Sequence, residues 1–517
     1  MHWIQNTMRV YMLFFLGCTL TSGYENTSVV IPGDVYIAGL FDIHDNLQGT
    51  CGKIRVNAGF LYSEAFIFAL DKINSKTGLF KNLGVRIGGL GIDTCRSIDR
   101  TEKILMDIQD GTLAIEGVTF DEIGGVVGPS SSTYSSRVQQ FLKRYNVTQI
   151  SYASTSTMFK DTEKYPYFLT TVPLDDKQAK AMTKMLHNVK WTNVLTLSDN
   201  YTYGLNGVEA FKTEAEKLGI CVEQSFVLDK DGSPAEVVDK ILKATKTPVV
   251  VTFTDFDDAI KIMRSFHETE NTCGDFVIIG SEAWADSEVI VEGVEQSSDG
   301  LITMNILGSE IPGFVDAMKQ KRYGQYPTNP YFDAYYEDVM KCGGRYQNEC
   351  TNDTSVTPDM YELDIFATHV TIATYAMALG IHQGLTSVCG QGYSGVCSDF
   401  KMTEQREEIF QFTKDIKFND ITGTSFEFIG NQGNQGYEIL RYHGYPLNRR
   451  GYKRIGKYSN EELQFTTLTA KGLTETYYKD IVSECSSGAI VTSSSIVSAT
   501  ALCTLLAISL GLSYSQY

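Results

Sequence analysis

The chain has 517 residues, with 62 Asp+Glu against 44 Lys+Arg for a formal charge of −18, and 43% hydrophobic and 21% charged residues. Those proportions, with 45 glycines and only 11 prolines, exclude a disordered, collagen-like or coiled-coil chain, and the length predicts two or three domains, each able to bury its own core. So acidic a balance repels phosphate backbones and argues against nucleic-acid binding.

Residues 1–23 read as a secretory signal peptide: a weakly basic start from Met1 to Arg9, an apolar run from Val10 to Leu20, then the small residues Thr21, Ser22 and Gly23. Asn-x-Ser/Thr sites at Asn26, Asn146, Asn200 and Asn352 are expected glycosylation acceptors of an exported chain. β-Branched apolar runs follow at Val35 to Phe41, Val85 to Ile92, Ile123 to Val127 and Gln149 to Tyr152, with helical periodicity between them. Over Gly59 to Ile73 that periodicity puts Tyr62, Phe66, Ala69 and Ile73 on one face. The alternation resumes at Val194 to Leu197, Cys221 to Leu228, Val249 to Phe253 and Phe276 to Ile279. Strands separated by single helices imply parallel sheets, so two βαβα units are expected in sequence. A strand-like run from Leu301 to Leu307, a helical segment from Ile365 to His382 and a hairpin-rich end around Phe426 to Phe428 and Tyr437 to Tyr452 follow. The expected architecture is a bilobed α/β protein whose chain crosses between lobes several times. Lobe one takes residues 24–172 and 304–430, and lobe two 173–303 and 431–480. Lobes hinged in this way close on a ligand. Beyond Cys485, a polar spacer and an apolar run from Ile496 to Leu512 with no basic cluster after it suggest a glycosylphosphatidylinositol signal over 486–517, with a single-pass anchor as the alternative.

Of the 11 cysteines, Cys18 falls in the signal and Cys503 in the tail, which leaves nine, an odd number for an oxidising compartment. Cys342 with Cys350, and Cys389 with Cys397, close short loops, and Cys51 and Cys95 are candidates for a longer one. Cys221, Cys273 and Cys485 remain.

Ligands of open parallel sheets bind beyond the carboxyl ends of the strands, where helix N-termini point free N–H groups. Two such ends here are rich in hydroxyls. Ser130, Ser131, Ser132 and Thr133 follow one strand, and Ser154, Thr155, Ser156 and Thr157 follow the next. Ordinary helix capping explains either run alone, but two at neighbouring strand ends suit a carboxylate. The second unit offers Asp175, Tyr203 and Glu282 at equivalent places. Hydroxyls and N–H groups on one jaw, with carboxylates and an aromatic face on the other, suit the two charges of an α-amino acid.

Ile150 to Ser156, Thr171 to Asp175, Tyr203-Gly204 and Ser281 to Ala285, with further matches at Asp93 to Cys95, Ile311 to Phe314, Asn329 to Phe332 and Tyr375 to Ala378, resemble the ligand-binding ectodomain of class C G-protein-coupled receptors. That group includes the metabotropic glutamate, calcium-sensing and amino-acid taste receptors. The likeness runs from about Gly33 to Ser459. It implies the periplasmic-binding-protein type 1, or Venus flytrap, fold: two parallel-sheet lobes joined by crossover strands. Residue by residue, it implies that Ser132 and Thr155, with backbone help from Ala153 and Ser154, hold the amino acid's carboxylate and ammonium, and that Asp175, Tyr203 and Glu282 complete the ammonium site. The side-chain end departs from the glutamate pattern. Where glutamate receptors place an Arg and a Lys, this sequence has Tyr62 and Phe366. Each cation lost leaves a ligand carboxylate unpaired, so glutamate itself is a poor candidate, and an aliphatic or aromatic amino acid or a small amine fits better.

The resemblance also implies that Cys221 bonds beyond the lobes, with Cys485 as its replacement partner here. It leaves Cys273 as the odd thiol, because the strands that Cys221 and Cys273 precede lie too far apart for one disulfide. The family's seven-helix domain and cysteine-rich stalk have no counterpart in the sequence, so signalling is expected through a membrane partner. Dimerisation, as homodimer or heteromer, is expected through lobe one. No HExxH, GxSxG, Walker A or Cys-x-x-Cys motif is present, and the seven histidines show no ligand spacing, so no enzyme, metal or cofactor is expected. Asp255, Asp257 and Asp258 read as a solvated helix start. The alternative function is an inert or adhesive surface scaffold.

Overall fold

The computed structural model describes residues 28–466 apart from 114, 245–246, 270–275, 347 and 445–449, together with 471, 474, 478 and 481. The expected signal peptide, Asn26, Cys273, Cys485 and the C-terminal anchor segment lie outside the described residues.

Two sheets carry the chain. The first has nine strands in the order Val29–Ile31, Ile87–Asp93, Val35–Phe41, Ile123–Val127, Thr148–Ser151, Phe168–Thr170, Gln432–Gly433, Ser425–Ile429 and Lys417–Asn419. The second has eight, in the order Cys221–Leu228, Asn193–Asp199, Val249–Phe253, Val277–Gly280, Ile302–Ile306, Tyr437–His443, Gly451–Ser459 and Glu462–Phe465. Their centres are parallel, as the alternation of strands with single helices requires. The edges are not. Val29–Ile31 runs antiparallel to Ile87–Asp93, and Ile302–Ile306 runs antiparallel to Tyr437–His443, which the chain reaches only after a long excursion through the first lobe.

The central strands Ile123–Val127 and Val249–Phe253 are near-continuous apolar runs, as burial on both faces of a parallel sheet requires. The helix Gly59–Ile73 packs against the 25-residue helix Ile365–Cys389, whose middle is almost wholly buried. Asp364 caps that long helix, its carboxylate accepting from the Phe366 and Ala367 N–H groups. Helix formation thus runs well past the expected end at His382, to Cys389, where Gly390 stops it.

Three crossovers join the lobes and pack on one another. Gln432 Oε1 accepts from Leu174 N at 2.7 Å, Leu307 N donates to Gly436 O at 2.9 Å, and Thr368 Oγ1 donates to Ser309 O at 3.0 Å. Disulfides Cys51–Cys95, Cys342–Cys350 and Cys389–Cys397 are formed as the spacing suggests, and Cys221 is disulfide-bonded. His44 and Asp93 lie beside Cys95, but its sulfur is committed to Cys51, so the trio is a structural knot rather than a metal site.

Candidate functional site

A cavity of about 470 Å³ lies between the lobes, at the carboxyl ends of both sheets. Lobe one gives it the start of the helix Ser132–Leu142. This helix begins inside the hydroxyl-rich run itself, because Ser and Thr side chains that compete with the backbone also suit a helix start. Gly128 sets the approach: its φ is +93°, and a Cβ there would lie 2.6 Å from Leu40 O and 2.9 Å from the Tyr152 ring. The first turn, with Ser130 to Tyr134, faces the cavity.

Not all of the expected lobe-one residues reach the cavity. Ser132 and Ala153 line it. The Ala153 and Ser154 N–H groups, expected to serve a ligand carboxylate, instead approach Ser151 Oγ at 3.4 and 3.0 Å. The Ser154 hydroxyl is spent on Ser130 O and Ser135 Oγ, both at 2.9 Å, so Ser154 ties the two hydroxyl-rich loops together from behind. The donors this jaw presents to the cavity are the open helix start and its hydroxyls.

Lobe two supplies a buried acidic cluster. Glu282 follows the strand Val277–Gly280 and lines the cavity. Its carboxylate accepts from Tyr203 OH at 2.9 Å, from Thr155 Oγ1 across the cleft at 3.2 Å, and from Gln178 Nε2. Gln178 Oε1 accepts from Glu282 N at 3.2 Å, and Tyr203 OH also meets Ser281 Oγ at 2.7 Å. Asp175 opens the helix Asp175–Val189 behind this group, its N–H donating to Thr155 O at 2.7 Å. Both Asp175 carboxylate oxygens are buried without a hydrogen-bond partner, as is the Tyr437 hydroxyl. Burial, and then the neighbouring Glu282, pushes the Asp175 carboxyl far above the usual carboxylate range, and burial raises that of Glu282. Two carboxylates are therefore held out of water with no cation between them.

Tyr62 and Phe366 line the remaining wall, which is not purely apolar. The Tyr62 hydroxyl donates to Asp364 Oδ2 at 2.5 Å, and burial pushes the Asp364 carboxyl up to about 7. Glu362 sits beside it, bridging the lobes: it accepts from Ser287 Oγ at 3.0 Å and Glu288 N at 3.1 Å, while its own N–H donates to Asn57 Oδ1 at 3.1 Å.

The rim carries an ionic clasp that the sequence reading did not anticipate. From lobe one, Arg96 reaches Asp255 at 3.3 Å and binds Asp257, and Arg55 lies 3.7 Å from Asp257. Arg55 also pairs with Asp45 at 3.2 Å and Asp42 at 3.5 Å. Asp255 does start its helix, accepting from Asp258 N at 2.9 Å, but Asp257 is a cross-lobe partner rather than a solvated cap. Burial works upward on the Asp257 carboxyl, and Arg55 and Arg96 together outweigh it and hold it below the usual range. Thr202 N donates to Thr133 Oγ1 at 3.3 Å, a further cross-lobe bond, so the jaws are in contact.

A family model described as the receptor family ligand binding region matches residues 61–444. Metabotropic glutamate receptor 4 of Mus musculus is 29% identical over 467 residues, which cover 84% of this chain and 50% of the receptor. Metabotropic glutamate receptor 8 of Homo sapiens is 28% identical over 464 residues, covering 84% and 50%. Metabotropic glutamate receptor 6 of Oryctolagus cuniculus is 28% identical over 468 residues, covering 84% and 53%. The chain spans about half the length of the curated relatives it matches. The two lobes, the cleft between them and these matches agree: the chain belongs to the receptor ligand-binding region family, as a class C G-protein-coupled receptor ectodomain of the bilobed periplasmic-binding-protein type.

Proposed function

We propose that the cleft binds a small zwitterion, an L-amino acid or a related amine, and that the lobes close around it. The observation that carries this reading is Asp175, whose two carboxylate oxygens are fully buried and unpartnered beside Glu282. Burying an ionised carboxylate without a partner costs several kcal/mol, and an ammonium placed against Glu282 relieves it. Tyr203, hydrogen-bonded to Glu282, offers its ring to the same cation. The open start of the helix at Ser132 takes the ligand carboxylate. Glutamate is disfavoured, because Tyr62 and Phe366 occupy the places where the resemblance to glutamate receptors puts cations.

In this reading the protein is a ligand sensor, co-receptor or decoy on the extracellular face, lipid-anchored through its C-terminal segment and paired through lobe one. The test is thermal unfolding of the secreted protein with each common L-amino acid at millimolar concentration. A ligand at 100 times its Kd adds about 2.7 kcal/mol. Stabilisation by one class of amino acid that disappears in Thr155→Ala and Asp175→Ala supports the proposal. No shift with any amino acid refutes it in favour of an inert scaffold.

A further inference from the structure

The charge of the cavity wall goes beyond the zwitterion reading and bears on the ligand's side chain. Nine carboxylate side chains and two guanidiniums line the cavity among the described residues. Both guanidiniums are already engaged. Arg55 is shared among Asp42, Asp45 and Asp257, and Arg96 among Asp45, Asp255 and Asp257. Four rim carboxylates thus meet two cations, and among the described lining residues no basic side chain remains to receive a ligand anion.

The wall at Tyr62 and Phe366 carries the opposite charge to the one that a second ligand carboxylate needs. Asp364, Glu362 and Asp286 all line it, and each feels the next as a like charge: Glu362 acts on Asp364, and Asp286 acts on Glu362. Their partners are neutral donors. Asp364 receives the Tyr62 hydroxyl and two backbone N–H groups, Glu362 receives the Ser287 hydroxyl and one N–H, and Asp286 receives the Asn305 amide at 3.3 Å. Tyr62, Phe366 and Trp284 supply the aromatic faces on which a methylene stem lies and over which a cation sits. At the other end of the cavity Glu282 is the lining acid, and its partners Tyr203, Thr155 and Gln178 are likewise neutral donors.

We propose that the ligand carries a second cation: it is an α-amino acid with an ammonium or guanidinium side chain, its α-ammonium against Glu282 and its side-chain cation against Asp364 and the Tyr62 hydroxyl. The proposal rests on the zwitterion reading above and replaces the side chain that the sequence alone suggested, an aliphatic or aromatic amino acid or a small amine, with a basic one.

Calorimetric titration of the full secreted chain with L-lysine, L-arginine, L-norleucine and L-glutamate tests it, norleucine having lysine's stem without its cation. Lysine or arginine is expected to bind at least tenfold more tightly than norleucine. In Asp364→Asn that preference falls at least tenfold. Asparagine still accepts from the Phe366 and Ala367 N–H groups, so the helix start is kept. Tyr62→Phe, which leaves the carboxylate and removes its hydroxyl partner, makes the same comparison should the first variant fail to fold, with a several-fold fall expected. Norleucine binding as tightly as lysine, or a preference unmoved in both variants, overturns the second-cation proposal and leaves the zwitterion reading standing. Tightest binding of glutamate overturns it too. No binding of any of the four at millimolar concentration, with none of the other common amino acids stabilising the fold, overturns both.

Discussion

Asp175→Asn separates what the acidic cluster does for folding from what it does for binding. In the empty protein the Asp175 carboxylate is buried, without a hydrogen-bond partner, and next to Glu282. Burial and then Glu282 raise its carboxyl far above the usual range, a cost at neutral pH that the unfolded chain does not carry and that an amide avoids. Asparagine keeps the shape and has no charge to neutralise, but it leaves one buried acceptor unpaired, adds two amide donors, and gives up an acid in the first turn of the helix Asp175–Val189. The opposing effects leave the empty variant within about 1 kcal/mol of the wild type at neutral pH, a change of no more than a few degrees in midpoint at about 2–4 °C per kcal/mol. Binding changes far more. Truncating one partner of a buried charge pair costs about 2–5 kcal/mol, so ligand affinity falls roughly 30-fold or more. Differential scanning calorimetry of the secreted protein reads the first effect, and titration with a stabilising amino acid reads the second. A variant that loses stability when empty while keeping its ligand-induced shift refutes the reasoning, because it would mean that the Asp175 carboxylate supports the fold and plays no part in recognition.

Two other outcomes follow from the cleft. Asp364 has its carboxyl raised to about 7 against an ordinary 3.8, so the folded state binds the extra proton and stability falls as pH rises through that window. The wild type should therefore gain about 1–2 kcal/mol relative to Asp364→Asn between pH 7 and pH 5, checked by chemical denaturation at both; a constant difference contradicts the assignment. Arg96→Gln removes the clasp's shortest cross-lobe contacts, which are partly exposed and so worth only about 0.5–1 kcal/mol. Small-angle scattering of the empty variant should show a larger radius of gyration, and raising the salt concentration should expand the wild type in the same direction; scattering insensitive to both would show that the arginines do not hold the jaws together.

Much of the fold was legible because its signals are local. The runs Val35–Phe41, Ile123–Val127 and Val249–Phe253 announce buried strands, Cys221–Leu228 an edge strand that is mostly exposed, and Gly59–Ile73 its helix. Boundaries failed where side chains compete with the backbone, as at Ser132, or where a helix outlasts its obvious apolar stripe, as at Cys389. The site divides the same way. Ser132, Tyr203, Glu282, Tyr62 and Phe366 lie in recognisable segments, and the structure brings them to one cavity. Arg96 and Asp257 are 161 residues apart and Tyr62 and Asp364 are 302 apart, so no spacing rule could pair them. The carboxylate at Asp364 reads in sequence as a helix cap, which it is; its second role appears only when Tyr62 is placed opposite.

The disulfide Cys51–Cys95 has a mechanical consequence for the clasp. Arg96 directly follows one of its cysteines, in a turn where Cys95 and Arg96 both take left-handed backbone angles, and Arg55 stands four residues after the other. The covalent link joins the two guanidiniums into one two-pronged fork on lobe one. They meet Asp255 and Asp257 together, so engagement of the jaws at this rim is a single event with two charges rather than two independent weak contacts. Reducing that one bond would turn a sharp closure into a gradual one while leaving the cavity's own lining in place.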